Sequence, residues 1–216
     1  MRFLFVVLAA MSATIPLASA AQNTGVIAIG GTVVPSSCTL LVDAGGVDFG
    51  TIPLSEFNDD GGTAKPAPRA TQIRANCSGP TLLSLMIRDN RRDTLTGVHY
   101  DDAGAFGIGK ADSGSQLGFY RITPAAEGVV NGAPAPILRS SDRSSWIESS
   151  ADWTKLDVAS ADGYAYLSPG TGAGPAGVMS AILPLNVALT IAPLATLDLT
   201  REIVIDGSAT IELLYL

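Results

Sequence analysis

The chain has 216 residues, a net charge of −7 and only 15% charged residues. An acidic chain with few basic clusters is a poor nucleic-acid or anionic-membrane binder. The 23 glycines and 13 prolines, with Thr, Val and Ile recurring in short runs, favour strands and turns over helices.

Residues 1–20 read as a secretory signal: Arg2 supplies the charge, 3–13 the apolar stretch, and Ala18 and Ala20 the small-x-small cleavage site. The mature chain is expected to start at Ala21, with a charge of about −8 once Arg2 is lost. No later segment is long and apolar enough to span a bilayer. The chain is therefore expected to be exported. In an oxidising compartment the two cysteines, Cys38 and Cys77, read as a disulfide. Closing a loop of about 40 residues stabilises by roughly 4 kcal/mol in a chain-entropy estimate. Neither cysteine has a second one nearby and there is one histidine, so no metal site is predicted.

Residues 25–29 are apolar and Gly30 and Gly31 interrupt them. A strand is predicted over 32–38, and another over 47–54 with edge-like Gly50 and Pro53. Residues 58–68 read as a loop. The stretches 71–77 and 82–87 read as strands, and 89–93 as a turn. Between about 97 and 175 turn residues dominate, with brief apolar runs at 117–122, 129–130, 137–138 and 164–167. A loop-rich insertion is expected there. From Val178 the pattern sharpens: Leu185, Val187, Leu189 and Ile191 alternate with Asn186, Ala188 and Thr190. Leu197, Leu199, Ile203 and Ile205 continue the period. Asp206 and Gly207 read as a turn or bulge. Ala209, Ile211, Leu213 and Tyr215 then share one face of a last strand, with Thr210, Glu212 and Leu214 on the other. Such a strand either completes its sheet or leaves a place beside it for another chain. Short strands separated by turns predict an all-β sandwich.

Several constellations invite a chemical reading. Gly172, Gly174 and Gly177 match a dinucleotide fingerprint, but such a loop must open a helix, and a strand follows here; a flexible loop is the better account. His99, beside Asp101 and Asp102, lacks a Gly-x-Ser-x-Gly elbow elsewhere and reads as a solvated loop residue, so no catalytic residue is assigned. Asp59, Asp60, Asp101 and Asp102 sit in no regular calcium-loop frame. Trp146 and Trp153 lie in a turn-rich stretch and offer stacking surfaces for sugar rings, against the plainer expectation that both fill a small core under the insertion.

Residues 31–38 (Gly-Thr-Val-Val-Pro-Ser-Ser-Cys), 75–78 (Ala-Asn-Cys-Ser) and the alternating C-terminus with Tyr215 resemble subunits of pili assembled by the chaperone–usher route. Phe106 to Gly109, residues 116–120, Ser141 and Asp142 with Trp146, and 205–216 are similar to the GltF-like periplasmic family. The resemblance implies an immunoglobulin-like, pilin-type sandwich over 31–216 that lacks its last strand. It implies a groove beside Ala209, Ile211, Leu213 and Tyr215, with the Leu216 carboxylate as a chaperone anchor. It also implies that residues 21–30 are a donor segment, with Val26, Ile27 and Ile29 as its plugs. The expected partners are a periplasmic chaperone, an usher and neighbouring subunits. The expected role is structural and adhesive, without cofactor or enzymatic activity, in the periplasm and then at the cell surface. The alternative is an exported sandwich that completes its own sheet and binds a ligand, such as a glycan, at Trp146 and Trp153.

Overall fold

The computed structural model describes residues 29–30, 32, 36–43, 46–58, 60–95, 104–148 and 164–216. The chain divides into two compact units, 1–34 and 35–216. In the first unit Ile29 is exposed. The expected signal segment and the donor residues Val26 and Ile27 lie outside the described residues.

The second unit is an all-β sandwich. Its strands are β1 (Cys38–Val42), β2 (Arg69–Thr81), β3 (Leu83–Asp89), β4 (Phe106–Gly107), β5 (Gly118–Pro124), β6 (Glu127–Val130), β7 (Ala133–Ser140), β8 (Ile147–Glu148), β9 (Tyr164–Thr171), β10 (Gly174–Pro175), β11 (Val178–Ile191) and β12 (Ala209–Tyr215). The longest continuous path of pairings runs β1-β2-β11-β6-β7-β9-β3-β12. All its pairs are antiparallel. One face holds β1, β2, β11, β5, β4 and β6; the other holds β7, β8, β9, β3 and β12.

The hairpin between β6 and β7 carries the ladder from one face to the other. Its two linking residues, Asn131 and Gly132, have φ of 51° and 84°. Two left-handed residues in a two-residue loop match the right-handed twist of the flanking strands. The Asn131 side chain also accepts the N–H groups of Met179 and Ser180, at the bulge that opens β11.

Alternation is cleanest in β11, where Ala181, Leu183, Leu185, Val187, Leu189 and Ile191 are all buried. Their core partners include Ile73 and Ala75 of β2, Leu85 and Ile87 of β3, Ile122 of β5, Ile137 of β7 and Leu167 of β9. Gly118 opens β5 at φ +139°, where a Cβ would sit 2.1 Å from the Thr190 carbonyl oxygen. Close approach to β11 therefore requires glycine there.

Three expectations change. The segment at 97–175 is not a peripheral insertion: β5 pairs with β11 over Gly118–Pro124, while β6, β7 and β9 lie inside the strand order. Some of its strands bury both faces: Phe119 and Tyr120 of β5 are both buried, as are Ile137 and Leu138 of β7. Of the strand expected over 32–38, residues 33–35 lie outside the described residues and 32, 36 and 37 lie in no strand; β1 runs from Cys38 to Val42. The stretches 47–54 and 197–205 join no ladder. A 3-10 turn at Leu54–Glu56 ends the first, and another at Leu194–Thr196 precedes the second.

Candidate functional site

The disulfide joins Cys38 to Cys77 directly across the β1–β2 pair, with Cα atoms 4.0 Å apart. Ser78 N–H donates to the Ser37 carbonyl, so Ser37 and Ser78 form a hydrogen-bonded pair. Antiparallel pairs alternate. Cys38, Leu40 and Val42 therefore turn their N–H and C=O groups away from β2.

The same argument fixes β12. Leu216 N–H donates to the Leu82 carbonyl at 3.1 Å, and Asn90 N–H to the Ser208 carbonyl at 3.0 Å. Even-numbered residues thus bond toward β3, and Ala209, Ile211, Leu213 and Tyr215 point their backbone groups the other way. Among the described residues no strand lies on that outer edge. Unpaired N–H and C=O groups along an edge are a template for another strand.

The two ends of the strand order meet at one point. The Cys38 N–H, which faces away from β2, donates to the Tyr215 hydroxyl at 3.0 Å. Beyond this seam lies an apolar groove of about 660 Å³. Its floor is the inward face of β5 and β11, with Tyr120, Ile122, Leu185, Val187, Leu189 and Ile191. The segments 46–54 and 197–211 complete the lining. In both segments the side chains alternate as in a strand. Val47, Phe49, Ile203 and Ile205 are half-buried against the core, whereas Asp48, Gly50 and Val204 are exposed. Gly207 lies against the Tyr120 ring: a Cβ there would come within 3.0 Å of its edge.

Burial sets the electrostatics of the floor. The Tyr120 hydroxyl is held above its ordinary range, mainly by desolvation and secondarily by the charge of Asp89. Asp89 is itself buried at the end of β3, and loss of solvent raises its pKa. The Gly107 and Arg91 N–H groups, each donating to it at 2.8 Å, partly offset that rise, as does the Arg92 cation. Arg91 also pairs with Asp206, which fastens the end of the 197–208 segment.

The structure places the sequence-predicted residues as follows. Ala209 and Ile211 line the groove, and Leu213 packs on the core. Tyr215 is half exposed and sits at the seam. Leu216 does not reach the groove; it borders a second cleft with Leu82 and Trp146. Val47, Phe49, Ile203 and Ile205 were not foreseen as groove residues. Their alternation was visible, but it reads equally well as ordinary strand.

Trp146 is half-buried and belongs to neither apolar core cluster, so it does not fill a core beneath an insertion. Trp153, His99, Asp59, Asp101 and Asp102 lie outside the described residues. Gly172, Gly174 and Gly177 form the turn from β9 through β10 into β11, and no helix follows them. A phosphate cradle of the dinucleotide type needs that helix.

Residues 27–117 match the family described as a protein of unknown function (DUF1120), a similarity that spans under half of the chain. No curated protein matches the chain.

Proposed function

We propose that the groove accepts a β-strand from another polypeptide, and that the chain is a structural, fimbrial subunit-like protein of a bacterial envelope. The observation that carries this reading is the outer edge of β12. Ala209, Ile211 and Leu213 present unpaired backbone groups beside an apolar trough of about 660 Å³. An incoming strand would bond to those residues and set its alternate side chains on Tyr120, Ile122 and Val187. Apolar burial at about 25 cal/mol per Å² and new ladder bonds would together offset the ordering of the incoming segment.

In this reading the groove is held first by a periplasmic chaperone and later by a neighbouring subunit, delivered through an usher. The donor is the 21–30 segment of that neighbour. The resemblance to chaperone–usher subunits supports those partners, and export of the mature chain is part of the same proposal.

The test compares mature 21–216 protein with a version lacking 21–30, each purified in denaturant and refolded without a chaperone. Size-exclusion chromatography and electron microscopy should show polymers from the first alone. A free peptide of residues 21–30 should raise the melting temperature of the truncated protein. A refolded 21–216 protein that stays monomeric, with its truncated form indifferent to the peptide, overturns the proposal.

A further inference from the structure

We propose that a second cleft, built around Trp146, is a saccharide-binding site separate from the groove. The cleft, of about 370 Å³, is lined by Arg143, Ser144, Trp146, Glu148 and the turn from Thr171 to Pro175. Its size lies within the range of small-ligand sites, about 300–1,000 Å³.

The loop that carries Arg143 is wound tightly. Ser140 Oγ accepts the N–H groups of Asp142 and Arg143, at 3.2 and 2.7 Å. Asp142 Oδ1 accepts the N–H groups of Ser144 and Ser145, each at 2.8 Å, and the Ser140 hydroxyl at 3.0 Å. These bonds, chiefly those from Ser145 and Ser144, hold the Asp142 carboxyl down to about 2. They also hold Arg143 in the left-handed region at φ 62°, an unfavourable backbone for a long side chain. Strain kept in place by so many contacts is characteristic of positions where a side chain must be aimed.

Arg143 is aimed across the Tyr166 ring, with its guanidinium carbon 5.6 Å from the ring centre. Among the described residues, neither the Trp146 indole N–H nor the Glu148 carboxylate has a hydrogen-bond partner. One aromatic ring, one acceptor and one cation therefore line the same cleft, with the Trp146 N–H and the Glu148 carboxylate open to a ligand.

That set matches a sugar. The C–H face of a pyranose stacks on an indole plane, while its hydroxyls donate to a carboxylate and accept from a guanidinium. A purely apolar ligand would leave Arg143 and Glu148 desolvated without compensation. A polyanion such as nucleic acid would meet Glu148 and a chain of net charge −7. The expected ligand is a neutral or singly acidic glycan unit, with Trp146 as the platform, Glu148 fixing hydroxyls and Arg143 taking a hydroxyl or a sugar carboxylate.

The decisive experiment displays the folded protein multivalently on a printed array of neutral and acidic glycans, beside its Trp146→Ala and Arg143→Ala variants. The best glycan is then titrated in solution by calorimetry against all three proteins. The expected result is saturable binding, abolished by Trp146→Ala, and weakened about tenfold by Arg143→Ala, as loss of one charged contact predicts. An unchanged melting temperature of Trp146→Ala shows that the loss is not unfolding. An array without any Trp146-dependent signal overturns the proposal, as does a glycan that binds Trp146→Ala as well as the parent. The groove plays no part in this readout, so either proposal can fail alone.

Discussion

Strand addition at the open edge has a parity that amide exchange can read. Thr210, Glu212 and Leu214 bond toward β3, whereas Ile211 and Leu213 turn their N–H groups to the groove. In protein lacking residues 21–30, the first set should exchange only when the sandwich opens. With an unfolding free energy of about 5 kcal/mol or more, that slows exchange by roughly three to four orders of magnitude. The Ile211 and Leu213 amides should exchange far faster, although they lie between protected neighbours. Adding the 21–30 peptide at about 100 times its Kd stabilises the bound edge by about 2.7 kcal/mol, so the two exposed amides should slow about 100-fold. Thr210 and Glu212, already slow, should slow by a similar factor through general stabilisation, so the diagnostic change is that Ile211 and Leu213 pass from fast to slow exchange. Residue-resolved hydrogen exchange by NMR measures all of this in one sample. Equal protection of odd and even residues in the free protein would refute the open edge. Ile211 and Leu213 amides that stay fast at saturating peptide would refute pairing at that edge.

Three other outcomes follow from the geometry. Replacing Cys38 and Cys77 together by Ala releases a link across a sequence separation of 39 residues. That should remove about 4 kcal/mol and lower the urea midpoint by about 2 M at a slope near 2 kcal/mol/M; a shift below ~0.5 M would contradict a constraint on the unfolded chain. Gly118→Ala forces a Cβ toward the Thr190 carbonyl at φ +139°. It should destabilise by about 2–4 kcal/mol in thermal or urea unfolding. A near-neutral result would mean that the β5–β11 contact is looser than described. The pKa of Asp89 is raised in the folded state by burial, so the native protein holds this proton at pH values where the unfolded chain has lost it. Its contribution is therefore most favourable below the ordinary value of 3.8 and declines as pH rises through the folded pKa. The stability of wild type minus that of Asp89→Asn, from urea titrations between about pH 3 and 7, should fall with rising pH; a rise would reverse the assignment.

The sandwich was most legible where a strand alternates between buried and exposed side chains. The alternation at Leu185, Val187, Leu189 and Ile191 made β11 readable, and Ala209 to Tyr215 did the same for β12. The central segment misled because β6 has only four residues and the first half of β7 is alanine and proline, which carry no strand signal. The Asn131–Gly132 pair was the missed signal for their hairpin. The stretches 47–54 and 197–205 carried a true period but no ladder, since periodicity reports which side chains are buried and says nothing about backbone partners. For that reason the groove could not be read from local pattern: it forms where two such stretches, far apart in sequence, flank the open edge of β12. The departure of Leu216 into the other cleft was equally invisible, because a strand's end follows whatever its last partner, Leu82, dictates.

The pairing of β12 with β3 also governs when this molecule can acquire its shape. Thr210 and Asn90 are 120 positions apart, yet their side chains touch. A chain emerging in order from a ribosome or a translocation channel must carry β3 with one side bare until nearly everything else has passed. Early closure by local contacts is unavailable, and the late arrival of a distant segment makes consolidation slow and exposes sticky edges meanwhile. A custodian that shields the growing chain would thus be useful before any question of polymer arises.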